Sequence, residues 1–252
     1  MIRRLEAALI FFTRLPFWRV WNPPQEAYSR VVELWPYAGW ITGGIAAFVC
    51  WGASLLFAPW VAVVFALGAR VLATGALHED GLADFFDGFG GGSTREATLR
   101  IMKDSHIGTY GVLGLLLYFL LGAGVLASLP PILAVAVIAV SDPLGKCVAA
   151  QVINVLPYAR TAEQAKNRTV YQRMSPVASG ICALGGVLPL LLFLKPPYWW
   201  GALGAAVVGG VLMALMHRRL RGYTGDCCGA LFLLSELAMW ISITGIYSWM
   251  HR

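Results

Sequence analysis

The sequence predicts an all-α polytopic membrane bundle of about seven transmembrane helices, preceded by an N-terminal amphipathic helix. Three observations carry that expectation. Only 13% of the 252 residues are charged and 58% are hydrophobic, where soluble domains carry about 25% charged residues. Disorder is excluded with them, because it needs low hydrophobicity and high charge. Two stretches carry no charge at all, 36 residues from Leu34 to Ala69 and 37 from Ser105 to Ser141, where one spanning helix needs about 20. Finally, the basic residues gather on one side of the topology those stretches imply.

In chain order, Leu5, Ala8, Leu9 and Phe12 recur at helical spacing opposite Arg3, Arg4 and Glu6, the pattern of an interfacial amphipathic helix. A secretory signal is a poor alternative, since Glu6 interrupts the apolar run and no small-residue cleavage site precedes Arg14. Spans are then expected at Trp35 to Phe57, Pro59 to Leu77, Ile107 to Leu129, Ile132 to Val155, Pro176 to Leu194, Tyr198 to Met216 and about Cys228 to Trp249, with Pro59, Pro130 and Pro131 marking the hairpin turns. With the N-terminus inside, fifteen of the 19 Lys and Arg residues fall in cytoplasmic segments, two (Lys195 and Arg252) fall outside, and Arg70 and Lys146 lie within spans. Cytoplasmic enrichment of this kind sets orientation. The odd span count puts the C-terminus outside. Residues 1–252 read as one integral membrane domain, with 1–33 as a cytoplasmic or interfacial segment and 78–106 as a cytoplasmic acidic segment that carries the chemistry. Five cysteines show no metal-ligand spacing and read as small packing residues.

Six of the 13 acidic residues lie between Glu79 and Asp104. Asp80, Asp84 and Asp87 stand at i, i+4 and i+7, which on a helix aligns three carboxylates along one face. They repel one another, and near a bilayer each carries a penalty of up to about 2.5 to 3.5 kcal/mol at the membrane centre. A divalent cation removes both costs, and Mg²⁺ suits carboxylates shared with substrate phosphates. Gly81 and the glycines at 88, 90, 91 and 92 let backbone approach a phosphate closely. The competing reading is a solvated acidic turn. Arg100 and Lys103, three residues apart, suit phosphate contacts, while Arg95 reads as a topology marker. His78 and His106 are candidate proton acceptors.

Asp142, Lys146 and Asn154 share a helical stripe expected to join the acidic face, unless Asp142 and Lys146 neutralise each other four residues apart. The basic loop from Tyr158 to Arg173 is a candidate phosphate contact. Asp226, after Gly225, is either a helix cap or a further metal ligand. Glu236, deeper in the last span, is expected to pair with a polar neighbour.

The stretches GALHEDGLADFFDGFGGG and RIMKDSHIGTYGVLGL resemble the membrane-bound cobalamin synthases, the adenosylcobinamide-GDP ribazoletransferases. FFTRLP, WPYAGWITGG, LPYAR and RGYTGDCCGA extend the likeness, in the family's order, over most of the chain. The resemblance implicates His78, Asp80, Asp84 and Asp87, then Lys103, Asp104 and Ser105, then Arg160 and Asp226. Departures are Glu79, Phe85-Phe86, Lys146 where Arg is usual, and the continuation of LPYAR, which reads RTAEQAKNR from its Arg160.

The resemblance implies that a ribose hydroxyl of α-ribazole, or of its 5′-phosphate, attacks the cobinamide-linked phosphorus of adenosylcobinamide-GDP and that GMP leaves. On that basis Asp80, Asp84, Asp87 and Asp226 are expected to hold Mg²⁺. His78, Asp84 and Lys103 are the expected catalytic groups, and Arg100, Asp104, Ser105, Arg160 and Gly225 the substrate contacts. The expected partners are these two substrates and the lipid bilayer of a bacterial inner membrane, without nucleic acid; a homo-oligomer stays open. Two other readings compete. A lipid-type alcohol phosphotransferase is disfavoured because Asp80-Gly81 is followed so closely by Asp84 and Asp87. A cation transporter is disfavoured because the acids cluster at a span end and no internal repeat is visible.

Overall fold

The computed structural model describes residues 1–160 and 171–252. Their regular structure is helical: α1 (Ile2–Phe12), α2 (Trp35–Ser54), α3 (Pro59–Thr74), α4 (Leu77–Gly91), α5 (Arg95–Ile101), α6 (Thr109–Ala127), α7 (Pro131–Ala150), α8 (Val152–Val155), α9 (Pro176–Phe193), α10 (Gly201–Leu220) and α11 (Gly225–Met250). Each of the seven expected spans coincides with a helix. Seven is nevertheless not reached by length and apolarity. Among the described residues, five helical stretches are long and apolar enough to cross a membrane, and a sixth results if α3 and α4 count as one bent span. Helix α2 has the length, but Trp, Tyr, Pro, Thr and Gly dilute its apolarity.

Side chains facing away from the bundle on the spanning helices are large and apolar, among them Leu117 and Leu120 on α6, Leu192 on α9 and Val211 on α10. That surface suits lipid, since soluble monomers rarely expose large contiguous apolar patches. Inside, small residues let helices meet. A Cβ on Gly39 would lie 2.7 Å from the Pro143 Cα, and one on Gly43 2.8 Å from the Asp142 Cβ, so α2 and α7 pack backbone to backbone as membrane helices often do. Helix α11 is the central post, buried at most positions from Asp226 to Ile243.

Its core is ionic as well as apolar. Arg70 of α3 pairs with Glu236 of α11, donates to the Tyr118 hydroxyl of α6 at 2.6 Å and lies 3.7 Å from the Glu79 carboxylate. Lys146 pairs with Asp142 on α7 and donates to Thr42 of α2 at 2.7 Å, and Thr42 donates to Asp142 at 2.9 Å. Charges inside a membrane bundle normally pair in this way. Glu236 thus has the expected polar neighbour, and Asp142 and Lys146 neutralise each other. Asn154, near the end of the helical stretch from Pro131 to Val155, is engaged elsewhere: its side-chain oxygen accepts the Met174 N–H at 2.9 Å.

Between α3 and α4 the axis turns by 95°. Gly75 and Ala76 both adopt left-handed conformations, with φ of 65° and 57°, which L-residues rarely visit and helices cannot sustain. Gly75 is required twice over, because a Cβ there would fall 2.5 Å from the Arg14 side chain. The bend sets the acidic helix α4 across the end of the bundle. Helix α1 is amphipathic as expected, and its buried face, from Ala7 to Phe12, rests on the protein: Phe12 stacks on Trp35 at 5.0 Å and Arg4 pairs with Glu33 at 2.8 Å. All five cysteines are free and buried.

Candidate active site

Helix α4 crosses the start of α11 at two glycines. A Cβ on Gly229 would lie 2.9 Å from the His78 carbonyl oxygen, and one on Gly81 3.0 Å from that of Asp226. The crossing brings Asp80 and Asp226 to one cavity of about 230 Å³, which Phe11, Phe12, Trp35, His78, Tyr158, Tyr171 and Gly225 also line. FFTRLP, WPYAGWITGG, the acidic helix, LPYAR and RGYTGDCCGA each contribute to this wall. The last two are joined directly: the Ala159 N–H donates to Tyr223 at 2.8 Å and the Tyr223 N–H to Pro157 at 3.0 Å. A wider cavity of about 510 Å³ adjoins it at the α3–α4 bend, with Arg14, Tyr28 and Thr74 on its wall. Phe11, Leu77 and Asp80 border both.

The ionisable groups around the cavity differ in surroundings. Asp80 is exposed and Asp226 buried, while Asp84, half-buried one turn along α4, lines neither cavity. Helix α11 is capped by Thr224, whose hydroxyl accepts the Cys227 N–H at 3.3 Å. The capping reading of Asp226 is thereby corrected: Asp226 lies inside the first turn, where the helix dipole favours a carboxylate. His78 is buried, 5.6 Å from Trp35 in a stacked arrangement and 4.9 Å from Phe232 edge-on. Among the described residues, neither His78 ring nitrogen nor the Trp35 Nε1 has a hydrogen-bond partner. Burial raises the phenol pKa of Tyr158 and, further, of Tyr171, so both remain neutral hydroxyl groups at physiological pH.

Asp87 departs from the expected trio. Its two carboxylate oxygens accept the Gly108 N–H at 2.7 Å and the Gly111 N–H at 2.8 Å, two donors at the start of α6 that have no partner within that helix. Both positions require glycine, since a Cβ at either would lie 2.5 Å from an Asp87 oxygen. Asp87 therefore caps α6 and fastens it to α4. Among the described residues no group of three or more His, Cys, Asp or Glu side chains is arranged to hold a metal ion.

Arg100, Lys103, Asp104 and Ser105 are exposed on α5 and the loop after it, away from the cavity wall. Asp104 accepts the His106 N–H at 3.0 Å and bonds the His106 ring at 2.7 Å, and those bonds hold its carboxyl below the usual range. Arg160 donates to the Leu99 carbonyl at 3.2 Å. Arg95, read as a topology marker, clamps the Leu220 and Ala159 carbonyls at 2.8 and 2.7 Å. Lys166, Arg168 and most of RTAEQAKNR lie outside the described residues. Sequence reasoning missed the aromatic wall of Phe11, Phe12, Trp35, Tyr158 and Tyr171. Its only sequence signal was that four of these five sit within the flanking motifs.

The cobalamin-5-phosphate synthase family profile matches residues 4–244. An adenosylcobinamide-GDP ribazoletransferase of Ralstonia pickettii is 35% identical over 98% of this chain and 95% of its own length, and one of Shewanella frigidimarina is 36% identical over 95% and 93%. No solved structure matches the chain.

Proposed function

The chain belongs to the cobalamin-5-phosphate synthase family, and from that premise we infer a membrane-embedded transferase joining α-ribazole, or its 5′-phosphate, to adenosylcobinamide-GDP. A ribose hydroxyl oxygen bonds to the phosphorus that carries cobinamide. The bond from that phosphorus to the bridging pyrophosphate oxygen breaks, and GMP leaves with the electron pair. The observation that carries this reading is Asp80, which borders both cavities: a donor in one and an acceptor in the other meet at its carboxylate.

Asp80 and Asp226, the two carboxylates on the cavity wall, are the oxygen donors that would hold Mg²⁺, and Asp84 lies one turn along α4 from them. The donor set fits, because Mg²⁺ is usually bound through one or two carboxylates together with substrate phosphates and waters. Bound there, the ion would neutralise pyrophosphate charge. Asp87 is left to its role as a cap. A nearby carboxylate takes the hydroxyl proton, because both ring nitrogens of His78, the other expected acceptor, are buried out of substrate reach, and Gly225 gives the substrate room beside Asp226. Arg14, on the wider cavity, meets donor phosphate. Lys103 and Arg100, with Asp104, Ser105 and Arg160, receive the guanosine phosphate end. Asp87 ties their loop to α4 seven residues beyond Asp80, roughly 10 Å at 1.5 Å per residue, a span suited to an extended nucleoside diphosphate. Catalysis is then mainly positioning and electrostatics. We place the site and the N-terminus on the cytoplasmic face of a bacterial inner membrane, supported by the fifteen basic residues on that side.

Purified, detergent-folded protein given both substrates is expected to release GMP in step with cobalamin formation, and EDTA is expected to stop it. No GMP release with both substrates present overturns the reading.

A further inference from the structure

The arginine of FFTRLP is held in place without a partner for its charge. Arg14 leaves the end of α1, where the buried Thr13 hydroxyl donates to the Leu9 carbonyl at 2.6 Å, and its own N–H donates to the Ala73 carbonyl at 2.7 Å. That bond brings it to the C-terminal end of α3, where a guanidinium ordinarily binds the last carbonyls of the helix. Arg95, Arg160 and Arg219 do bind main-chain carbonyls with their side chains. The Arg14 side chain is exposed and, among the described residues, makes neither a hydrogen bond nor an ion pair.

It lies instead across Gly75. A Cβ there would fall 2.5 Å from both the Cγ and the Nε of Arg14, and Arg14, Gly75 and Asp80 all border the wider cavity of about 510 Å³. Positive φ at position 75 disfavours a side chain without forbidding one, since Ala76 carries its own at φ 57°. The arginine stem laid over Gly75 is the stricter reason for glycine. A stem so placed loses less freedom when a ligand arrives, and its planar fork of five N–H donors matches phosphate oxygens. Asp80, on the same wall, is one of the two carboxylates assigned to Mg²⁺, so a diphosphate answers both the cation and the guanidinium. We infer that Arg14 is the diphosphate-binding residue of the wider cavity and that Gly75 is a positioning residue that gives it its seat. The inference rests on the transferase reading and deepens it.

The probe is inorganic pyrophosphate, titrated by calorimetry into full-length protein in phosphatidylcholine nanodiscs. Arg14→Gln is expected to weaken binding at least about tenfold, the scale of one hydrogen bond to a charged group, and to raise the donor KM by the same factor with the acceptor KM unchanged. Gly75→Asn separates seat from backbone, because asparagine tolerates the left-handed region yet carries the Cβ that displaces Arg14. It is expected to weaken binding as Arg14→Gln does, and the double variant to bind no more weakly than either single one. Unchanged binding in Arg14→Gln or in Gly75→Asn overturns the inference, and so do effects that multiply in the double variant. If Gly75→Asn fails to accumulate, adding Arg14→Ala is expected to restore it by removing the clash; failure in both overturns the role of Gly75. If phosphatidylglycerol nanodiscs abolish the difference between unmodified protein and Arg14→Gln, the anion is a lipid headgroup and the inference is overturned. Calorimetry needs no turnover, so failure of the transferase reading appears separately, as absent GMP release.

Discussion

The bundle centre and the cavity at its end both bury polar groups among aromatic rings, yet they dispose of them differently. Around Arg70 and Lys146 most charges are paired within the protein, with only the Arg70 Nε and the two Glu79 carboxylate oxygens lacking a hydrogen bond among the described residues. Glu236 receives Arg70, Tyr118 at 2.9 Å and Ser141 at 3.3 Å, and Asp142 receives Lys146 and Thr42. Around Trp35 and His78, three buried ring nitrogens have no partner among the described residues, and they stand beside carboxylates from two helices. Buried polar groups in native proteins are nearly always satisfied. The first region is a structural knot of charge pairs, and the second lies where we propose that substrate binds.

The difference can be broken most severely at the knot. Arg70→Met leaves Glu236 and Glu79 buried without their cation, and removing one partner of a buried pair typically costs about 3 to 5 kcal/mol. Thermal unfolding in detergent is expected to drop sharply or the protein to fail to accumulate, whereas Arg70→Met with Glu236→Leu regains much of the loss. At the cavity the pattern inverts. Asp226→Asn is expected to lower GMP release by at least about a hundredfold, the usual scale for losing one electrostatic contributor, with the unfolding temperature little changed.

Asp87 sharpens the comparison, because it lies in the acidic cluster yet behaves like the knot. Asp87→Asn weakens two charge-assisted bonds at a helix start, an effect of about 1 to 2 kcal/mol. Stability is expected to fall while the Mg²⁺ concentration giving half-maximal GMP release stays where it was. A shift in that concentration would restore Asp87 to the metal. The smallest effect is expected at Asp104. His106 lowers its pKa, so the favourable interaction is present at neutral pH and is lost as pH falls through the lowered folded value. In His106→Ala the Asp104 carboxyl is expected to titrate at higher pH, readable by infrared difference spectroscopy.

Helix positions were legible in the sequence because charge-free runs and proline breaks depend on solvent alone. The bend after Thr74 was not. It arises from a left-handed pair at Gly75-Ala76 and from the Arg14 side chain laid over Gly75, a contact between residues some sixty positions apart. For the same reason spacing placed Asp80, Asp84 and Asp87 on one face but did not reveal that α6 would supply Asp87 with two amides. Trp35 was hidden in another way. A tryptophan at the start of an apolar span reads as interfacial anchoring, and only the crossing of α4 over α11 makes it a cavity wall.

The most direct measurement on the central claim is GMP release by Asp80→Asn across a Mg²⁺ titration, beside unmodified protein with both substrates. Since Asp80 borders both cavities, turnover is expected at least about a hundredfold lower, with a raised Mg²⁺ requirement and retained thermal stability. Undiminished turnover at an unchanged Mg²⁺ requirement would contradict the placement of the reaction at this residue.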